Sequence, residues 1–580
     1  MHTFHISFLL LTSCLGLQQT ATKPKTDTQP IVSRIDTFLN AAGVRGGILI
    51  AKDGEIMLSA GYGFADEERK SLITTKTVFD IGSISKQFTG AAILKLQEEG
   101  KLRVTDTLNI FFKDVPVGKQ SITIHQLLTH TGGFGPDIVE FPANPSRDEA
   151  VRIALDSKLV LRPGEKYKYS NTGYVLLANI IEIASGTSYE NFVNSKLWKP
   201  AGMQKTGYIL PKYNDDEVSH GFDISGSLGL SSDTWAKDGP SWRTRGAGGV
   251  LSTLEDLYKW HLALNSEAVL SARSKAELFK AHVAETDDGA SHYGYGWAIH
   301  KTPRQTRLIA HDGSNGIFFA DFHRYVDENV VIIYFTNERN STSRGILNSI
   351  SSAFFDGSVP SLPSTSNSLS PSELVRYTGT YQLPLGETFE LELQKNQLSL
   401  PALTWGMCKL LTNFPKVDDS ERTRNLDVRT GSTMKSIVSG DFARIADVLD
   451  LDGSLEEEKS YWTKTRDTWV KRFGEFKRSE VIGSRVEKQY LNTYVLLQFE
   501  RGATVVQFRQ NDKQKFLIGT ANNLLTSQFC LMPESKTGFF VYNHALRTTV
   551  PVTFDFDGAN VTGFTIAAAD GSVRAKKVLR

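Results

Sequence analysis

Strand patterns stand at both ends of the first 357 residues and enclose a middle region that is largely helical. Near the amino terminus, residues 47–51 and 56–60 flank Asp53-Gly54, a dipeptide that favours a two-residue hairpin turn. Further strand patterns follow at 293–300, 305–311, 316–324 and 329–337. Since these strands must pair to bury their apolar faces, we predict an α/β (α+β) domain. It would contain one antiparallel sheet flanked by helices, with a helical subdomain.

A Ser- and Pro-rich stretch separates this first domain from the rest of the chain. Residues 358–372 contain seven Ser and three Pro, the composition of an exposed linker. The first domain is therefore predicted to span residues 28–357. Beyond the linker, alternation of apolar and polar residues at both ends of the tail predicts strands, with helical periodicity between them. We predict a C-terminal region at 373–580, β-rich at 373–415 and 512–580, with an α+β unit at about 420–510.

The most apolar stretch of the chain runs from Ile6 to Leu17, and its 12 residues are too few for a membrane helix. The length is typical of a signal-peptide core, so residues 1–22 are predicted to be a signal peptide and the protein to be secreted or periplasmic. Leu11-Thr12-Ser13-Cys14 also resembles a bacterial lipobox, in which the cysteine carries a lipid. Two interpretations stay open: Cys14 is a membrane anchor, or it is an ordinary residue of the apolar run.

The charge balance excludes one large class of partners. Lys and Arg total 65 against 64 Asp and Glu, a net charge of +1 without long blocks of one sign, so we predict no nucleic-acid partner. Cys408 and Cys530 allow one disulfide or two thiols and lack the spacing of a metal site. The sequence contains neither His-Glu-x-x-His nor Gly-x-Ser-x-Gly, which disfavours a zinc hydrolase and an α/β-hydrolase. We expect no metal and no cofactor.

Ser83-Ile84-Ser85-Lys86 places a serine and a lysine three positions apart at the start of a predicted helix. Residues at that spacing share one helix face, so the Lys86 amine can reach the Ser83 hydroxyl and help remove its proton. The free N–H groups at a helix start also favour negative charge there. The pattern predicts nucleophilic catalysis by serine.

The same short patterns recur in the tail, so spacing decides between two sets of residues. Tyr490 follows Ser432 by 58 positions, and this interval already contains two amphipathic helices of a self-contained unit, which disfavours that set. By contrast, Tyr169 follows Ser83 by 86 positions. That interval leaves room for a helical subdomain whose loops bring Tyr169 to Ser83, and this set is favoured.

Four sequence blocks, in order, resemble those of the penicillin-recognising serine hydrolases. The blocks are residues 79–89, 124–133, 163–174 and 246–253. Within that family the chain is most similar to class C β-lactamases, D-Ala-D-Ala carboxypeptidases and their esterase and D-aminopeptidase relatives. The resemblance covers residues 28–357. It implies that Ser83 is the acylated nucleophile, Lys86 its proton partner, Tyr169 the base that also protonates the leaving group, and Asn171 a substrate-binding residue.

The third motif of the family, Lys-Thr-Gly in many relatives, is best matched here by His311-Asp312-Gly313. The resemblance implies that His311 is catalytic and that Gly313 and Ser314 bind the substrate. It also implies that the backbone N–H groups of Ser83 and Ser314 form an oxyanion hole, which stabilises the developing charge.

Histidine in place of lysine changes the substrates that we expect. A lysine is charged and suits a substrate carboxylate, whereas a histidine near its usual pKa of ~6.5 is mostly neutral at pH 7 and titrates between about pH 5.5 and 7.5. Affinity for carboxylate-bearing β-lactams should therefore be reduced, and esters or peptides with D-residues at the amino end become credible substrates. The predicted function is an acyl-enzyme hydrolase of an ester or amide: a D-amino-acid peptide, a β-lactam-like compound or a small ester. The alternative is a weakly active or inactive family member that serves as a sensor or binding module.

Overall fold

The computed structural model describes residues 29–578, with gaps at 69, 136–143, 224–225, 339–342, 359–361, 363–368, 385, 395–396, 401–404, 413–420, 442–454, 488–489, 511–514, 521–528, 544–547 and 569–570. The predicted signal peptide, with Cys14, lies outside the described residues, and so does most of the predicted linker.

The helices of the described residues are α1 (Gln29–Ala41), α2 (Lys86–Glu98), α3 (Leu108–Phe111), α4 (Ile124–Leu128), α5 (Arg147–Asp156), α6 (Asn171–Ser185), α7 (Tyr189–Val193), α8 (Leu254–Leu264), α9 (Ala272–Leu278), α10 (Ser343–Asp356), α11 (Pro371–Leu374), α12 (Trp405–Thr412), α13 (Glu421–Ser439) and α14 (Leu455–Phe473). Within the described part of the chain, none of them combines the length and apolarity that crossing a membrane requires.

The strands are β1 (Gly46–Lys52), β2 (Glu55–Tyr62), β3 (Phe64–Asp66), β4 (Ser71–Leu72), β5 (Phe79–Asp80), β6 (Gly221–Asp223), β7 (Gly226–Gly229), β8 (Leu251–Ser252), β9 (Val283–Ala284), β10 (Ser291–Tyr293), β11 (Ala298–Lys301), β12 (Arg307–Ser314), β13 (Phe319–Tyr325), β14 (Val330–Thr336), β15 (Gly379–Gln382), β16 (Thr388–Gln394), β17 (Gln397–Leu400), β18 (Phe476–Glu487), β19 (Tyr490–Phe499), β20 (Ala503–Gln510), β21 (Phe516–Thr520), β22 (Phe529–Pro533), β23 (Gly538–Asn543), β24 (Thr548–Asp557), β25 (Asn560–Ala568) and β26 (Gly571–Lys577).

The first domain is built on one antiparallel sheet whose strands come from both ends of its sequence. The strand order is β2-β1-β14-β13-β12-β11-β10-β9, so the amino-terminal hairpin pairs with the last strand of the domain. Asp53 and Gly54 have φ angles of 52° and 82°, the left-handed values that a type I′ turn needs. The predicted fold class is confirmed.

Different helices cover the two faces of this sheet. Alternate residues of a strand point to opposite faces, so Leu49 and Ile333 pack with α2 and α8, whereas Ile48, Ile50 and Ile332 pack with α1 and α10. Ten of the 13 residues of α2 are buried, so this helix lies in the core of the domain. The sheet and α6 enclose this helix, and its amino-terminal end carries Ser83 and Lys86.

The C-terminal region contains a closed barrel and a separate four-stranded sheet. The barrel follows the order β15-β16-β17-β22-β23-β24-β25-β26, and the sheet follows β18-β19-β20-β21. Helices α13 and α14 pack on the sheet through Met434, Trp462 and Trp469. The predicted boundary of this α+β unit near residue 510 is wrong, because β21 pairs with β20 in the unit's own sheet. Strand periodicity shows that a segment is extended but not which sheet it joins.

An apolar contact joins the barrel to the first domain. Phe38 of α1 lies edge-on to Tyr542 of β23, with ring centroids 6.0 Å apart. Phe540 and Met532 of the barrel belong to the same buried cluster, and Phe38 and Phe540 are each 1% exposed. Helix α1 is therefore covered by the sheet on one side and by the barrel on the other.

Cleavage of the predicted linker should leave the two halves of the chain associated, because separation would return Phe38 and Phe540 to water. After limited proteolysis within residues 358–372, we expect the fragments to co-elute in size-exclusion chromatography. Phe540→Asp should release them, since it buries a charge in the contact. Tyr461→Asp, at an exposed position of α14, is the control. Separate elution of the unsubstituted fragments would show that the contact contributes little.

Candidate active site

Ser83 lies at the junction between a short strand and the buried helix α2. It is the second residue of a 3₁₀ turn (Gly82–Ser85) that continues directly into α2. Gly82 has a φ of 50°, a left-handed value that lets the chain leave β5 in a sharp turn. The Ser85 hydroxyl donates to the Gly82 carbonyl oxygen at 2.6 Å, which closes the turn. Ser83 is thereby fixed at the start of a rigid helix while remaining partly exposed.

The Lys86 amine is buried beside Ser83. Its Nζ lies 3.0 Å from Ser83 Oγ, 2.7 Å from Asn171 Oδ1 and 2.7 Å from the Ala247 carbonyl oxygen. Lys86 is 0% exposed, and its Nζ is 4.8 Å from the centroid of the Tyr169 ring. Three segments that are distant in sequence meet at this amine. The structure therefore brings Ser83, Lys86, Tyr169 and Asn171 together.

The start of α6 and a buried histidine position Tyr169 and Asn171. Ser170 is the N-cap of α6, and its backbone N–H donates to His130 Nδ1 at 3.1 Å. The His130 ring lies against the Tyr169 ring with centroids 4.4 Å apart. Burial holds the pKa of His130 well below its usual value, so this ring is neutral at neutral pH. His130 thus supports Tyr169 without placing a charged imidazolium beside the Lys86 amine.

Two glycines let β12 approach the 3₁₀ turn closely. A methyl group added at Gly313 would collide with the Ile81 carbonyl oxygen and lie 2.7 Å from the backbone nitrogen of Ser83. One added at Gly82 would lie 2.7 Å from the carbonyl carbon of Gly313. Neither position has room for a side chain, so the backbone of Ser314 is a direct neighbour of the turn that carries Ser83.

His311 lies on β12 and is buried. Its Nε2 accepts from the Tyr293 hydroxyl at 2.9 Å, and its Nδ1 donates to the Asp312 carbonyl oxygen at 2.5 Å, an assignment that follows because a carbonyl only accepts. Burial lowers the pKa of His311 to about 4, although the Asp312 charge opposes the shift. The expectation of a titration between about pH 5.5 and 7.5 is therefore wrong, because it assumed an exposed ring.

Two polar residues beside the site were not singled out from the sequence. Asp80, 4% exposed, accepts from the Gly82 N–H through Oδ1 at 2.8 Å and from the Asn315 amide through Oδ2 at 2.9 Å. Burial raises the pKa of Asp80, and these two hydrogen bonds oppose the rise. A signal was present: a carboxylate within a run of apolar residues needs hydrogen-bond partners.

The competing copy of the serine motif lies in the α+β unit. Ser432 is on α13, and its hydroxyl donates to the Arg429 carbonyl oxygen one turn earlier.

Among the residues that the structure describes, no group of three or more His, Cys, Asp or Glu side chains could hold a metal ion.

An antiparallel sheet flanked by helices, with a serine and a lysine at the start of a buried helix, defines the class of penicillin-recognising serine hydrolases. Residues 31–351, more than half of the chain, match the beta-lactamase family model. The chain belongs to the beta-lactamase family, whose members are serine hydrolases that act through an acyl-enzyme.

The relatives include bacterial penicillin-binding proteins. Penicillin-binding protein 4* of Bacillus subtilis (strain 168) is 29% identical over 441 residues, which cover 71% of this chain and 94% of that protein. Protein flp of Staphylococcus aureus (strain COL) is 30% identical over 300 residues, 49% of this chain and 58% of flp. The octameric penicillin-binding protein homologue from Pyrococcus abyssi aligns with a TM-score of 0.50 at 20% identity, over 94% of this chain and 100% of that chain. The shared fold extends beyond the first domain.

The pH dependence of hydrolysis should show no titration of His311 between about pH 5.5 and 7.5. Because burial lowers the pKa of His311, the ring is neutral throughout this range and gains a proton only as the pH falls toward about 4. Profiles of kcat/KM for a neutral ester should therefore keep one shape over this range in the wild type and in His311→Asn, whatever the change in rate. An ionisation in this range that disappears in His311→Asn would contradict the structure.

Proposed function

We propose that this protein is an exported hydrolase that acts on esters and amides through an acyl-enzyme at Ser83. The observation that carries the proposal is the buried Lys86 amine, 3.0 Å from Ser83 Oγ and held there by Asn171 and the Ala247 carbonyl oxygen. A serine hydroxyl becomes an effective nucleophile when an adjacent base takes its proton. An amine with its position fixed on two sides is suited to that task.

The proposed reaction begins with attack by Ser83 Oγ on the carbonyl carbon of the substrate. The neutral Lys86 amine takes the hydroxyl proton at Nζ and passes it to Tyr169, whose ring lies beside that amine, as Tyr169 gives its own proton to the leaving group. The N–H groups of Ser83 and Ser314 stabilise the resulting oxyanion, and one such donor contributes about 3 kcal/mol. Water then attacks the acyl-enzyme carbonyl carbon, one of its protons passes to Ser83 Oγ as the bond to Ser83 breaks, and the acid is released.

His311 takes a positioning role in this proposal rather than a direct catalytic one. Both of its ring nitrogens are engaged within the protein, by Tyr293 and by the Asp312 carbonyl oxygen. Its neutral ring stands where many relatives carry a lysine, so the attraction for a substrate carboxylate is weaker. We therefore propose small esters and D-amino-acid peptides as preferred substrates, ahead of β-lactam-like compounds, with Asn171, Gly313 and Ser314 binding them.

Export is supported by the apolar run from Ile6 to Leu17, which has the length of a signal-peptide core. The two interpretations of Cys14 lead to different attachments: a lipidated Cys14 would tether the protein to a membrane, and an unmodified one would leave it secreted or periplasmic.

Ser83→Ala should abolish covalent labelling by a fluorophosphonate, measured as the mass shift of the intact protein, because the reagent reacts with an activated serine. Ser432→Ala is the matched control, since Ser432 belongs to the other Ser-x-x-Lys sequence, and it should label like the wild type. Undiminished labelling of Ser83→Ala would refute the assignment of the nucleophile.

The same samples separate an enzyme from a sensor. Hydrolysis of a chromogenic ester, followed past the first turnover, should continue at a steady rate in the wild type. A stable acyl-enzyme at Ser83 without turnover of an ester, a penicillin or a D-amino-acid peptide would instead support a sensor or binding module.

A further inference from the structure

The two backbone donors of the proposed oxyanion hole belong to different elements. Ser83 lies in the 3₁₀ turn before α2, and Ser314 is the last residue of β12. The lack of a Cβ atom at Gly82 and at Gly313 lets the two segments approach closely, but it does not fix the distance between them. An oxyanion must receive both hydrogen bonds at once. The rate of hydrolysis therefore depends on the distance between these two N–H groups.

One buried carboxylate bridges the neighbours of both donors. Asp80 Oδ1 accepts from the N–H of Gly82, the residue before Ser83, at 2.8 Å. Its Oδ2 accepts from Nδ2 of Asn315, the residue after Ser314, at 2.9 Å. The other end of the Asn315 amide closes the turn that leads to β13, since its Oδ1 accepts from the two N–H groups of residues 317 and 318.

We propose that Asp80 and Asn315 are positioning residues that set the spacing of the Ser83 and Ser314 N–H groups. The inference rests on the proposed function of Ser83. The two side chains act through the adjacent backbone, Asp80 on the turn that presents Ser83 and Asn315 on the turn that follows Ser314. A displacement of about 1 Å at a reacting centre is enough to slow a reaction about 100-fold.

The hydrogen bond between Asn315 and Asp80 can be tested by exchanging the two side chains, because one is a donor and the other an acceptor. A carboxylate at position 80 accepts two hydrogen bonds, and an amide at position 315 donates one and accepts others. Asp80→Asn leaves the bridge with surplus N–H donors, and Asn315→Asp places two carboxylates against each other. The double exchange restores the donor–acceptor pair between the two positions, because the amide at position 80 then donates to the carboxylate at position 315.

We expect Asp80→Asn and Asn315→Asp each to lower kcat for a chromogenic ester about 10- to 100-fold, with a smaller change in KM. The double exchange should return kcat to within about threefold of the wild type, as a restored pairwise interaction requires. Inhibition by phenylboronic acid, whose tetrahedral adduct with Ser83 is an anion with a boron-bound oxygen in the place of the oxyanion, should weaken in the single variants and recover in the double one.

A second Asp–Asn bridge in the same domain is the matched control. Asn329 Nδ2 donates to Asp53 Oδ1 at 3.1 Å, between the β1–β2 turn and the β13–β14 turn. Asp53→Asn, Asn329→Asp and their combination should leave kcat within about twofold of the wild type, since independent sites contribute separately.

Single exchanges of Asp80 or Asn315 that stay within about twofold of the wild type, or a double exchange no faster than the slower single variant, would overturn the inference. Should the Asp80 variants fail to fold, Asn315→Ala at its exposed position carries the test with the same expected loss and the same overturning result. If Ser83 is labelled in the wild type but the exchanges at positions 80 and 315 leave kcat unchanged, the positioning role of Asp80 and Asn315 is refuted and the proposed function stands. Labelling that survives Ser83→Ala would refute the proposed function.

Discussion

The close approach of two glycine backbones, at Gly82 and Gly313, is the contact on which the rest of the site depends. It joins the turn at the start of α2 to the end of β12, and it is possible only because neither residue carries a Cβ atom. The position of Gly313 depends on the whole sheet, because pairing of β1 with β14 fixes the strand order that places β12 inside the sheet. Local chemistry at Ser83 is therefore a product of long-range strand pairing.

The electrostatics of the site follow from which groups burial leaves neutral. An amine removed from water needs hydrogen-bond acceptors, and Lys86 finds them in Asn171 and the Ala247 carbonyl oxygen as well as in Ser83. The two nearby histidines, His130 and His311, are kept neutral by burial, so they add no positive charge beside the Lys86 amine. Proton transfer at this site is therefore left to the Lys86 amine and to Tyr169 beside it.

The sequence could predict what is encoded locally. The Asp53-Gly54 hairpin, the helix after Ser83 and the helical periodicity of the α+β unit, observed as α13 and α14, all depend on turn chemistry and periodicity within short windows. Long-range properties were not accessible in this way. Three properties depend on segments far away in the chain, so no local pattern predicts them. They are the sheet that β21 joins, the burial of His311 and the hydrogen-bond partner of Asp80. His130 belongs to the same group, since its neighbours become visible only after α6 is in place.

The contact between the barrel and the first domain falls on the side of the sheet opposite to α2. Helices α1 and α10 cover that face, and Phe540 and Tyr542 of the barrel add to the same apolar cluster, whereas α2 belongs to the cluster on the other face. This contact therefore acts on the face of the sheet opposite to α2, and neighbouring strand residues such as Ile48 and Leu49 point to opposite faces. Because a close-packed interior transmits strain but tolerates little displacement, loosening of the barrel should first lower the stability of the sheet. The geometry of the Ser83–Lys86 pair, set by α2 and the glycine contact, should change only once the strand order itself is lost.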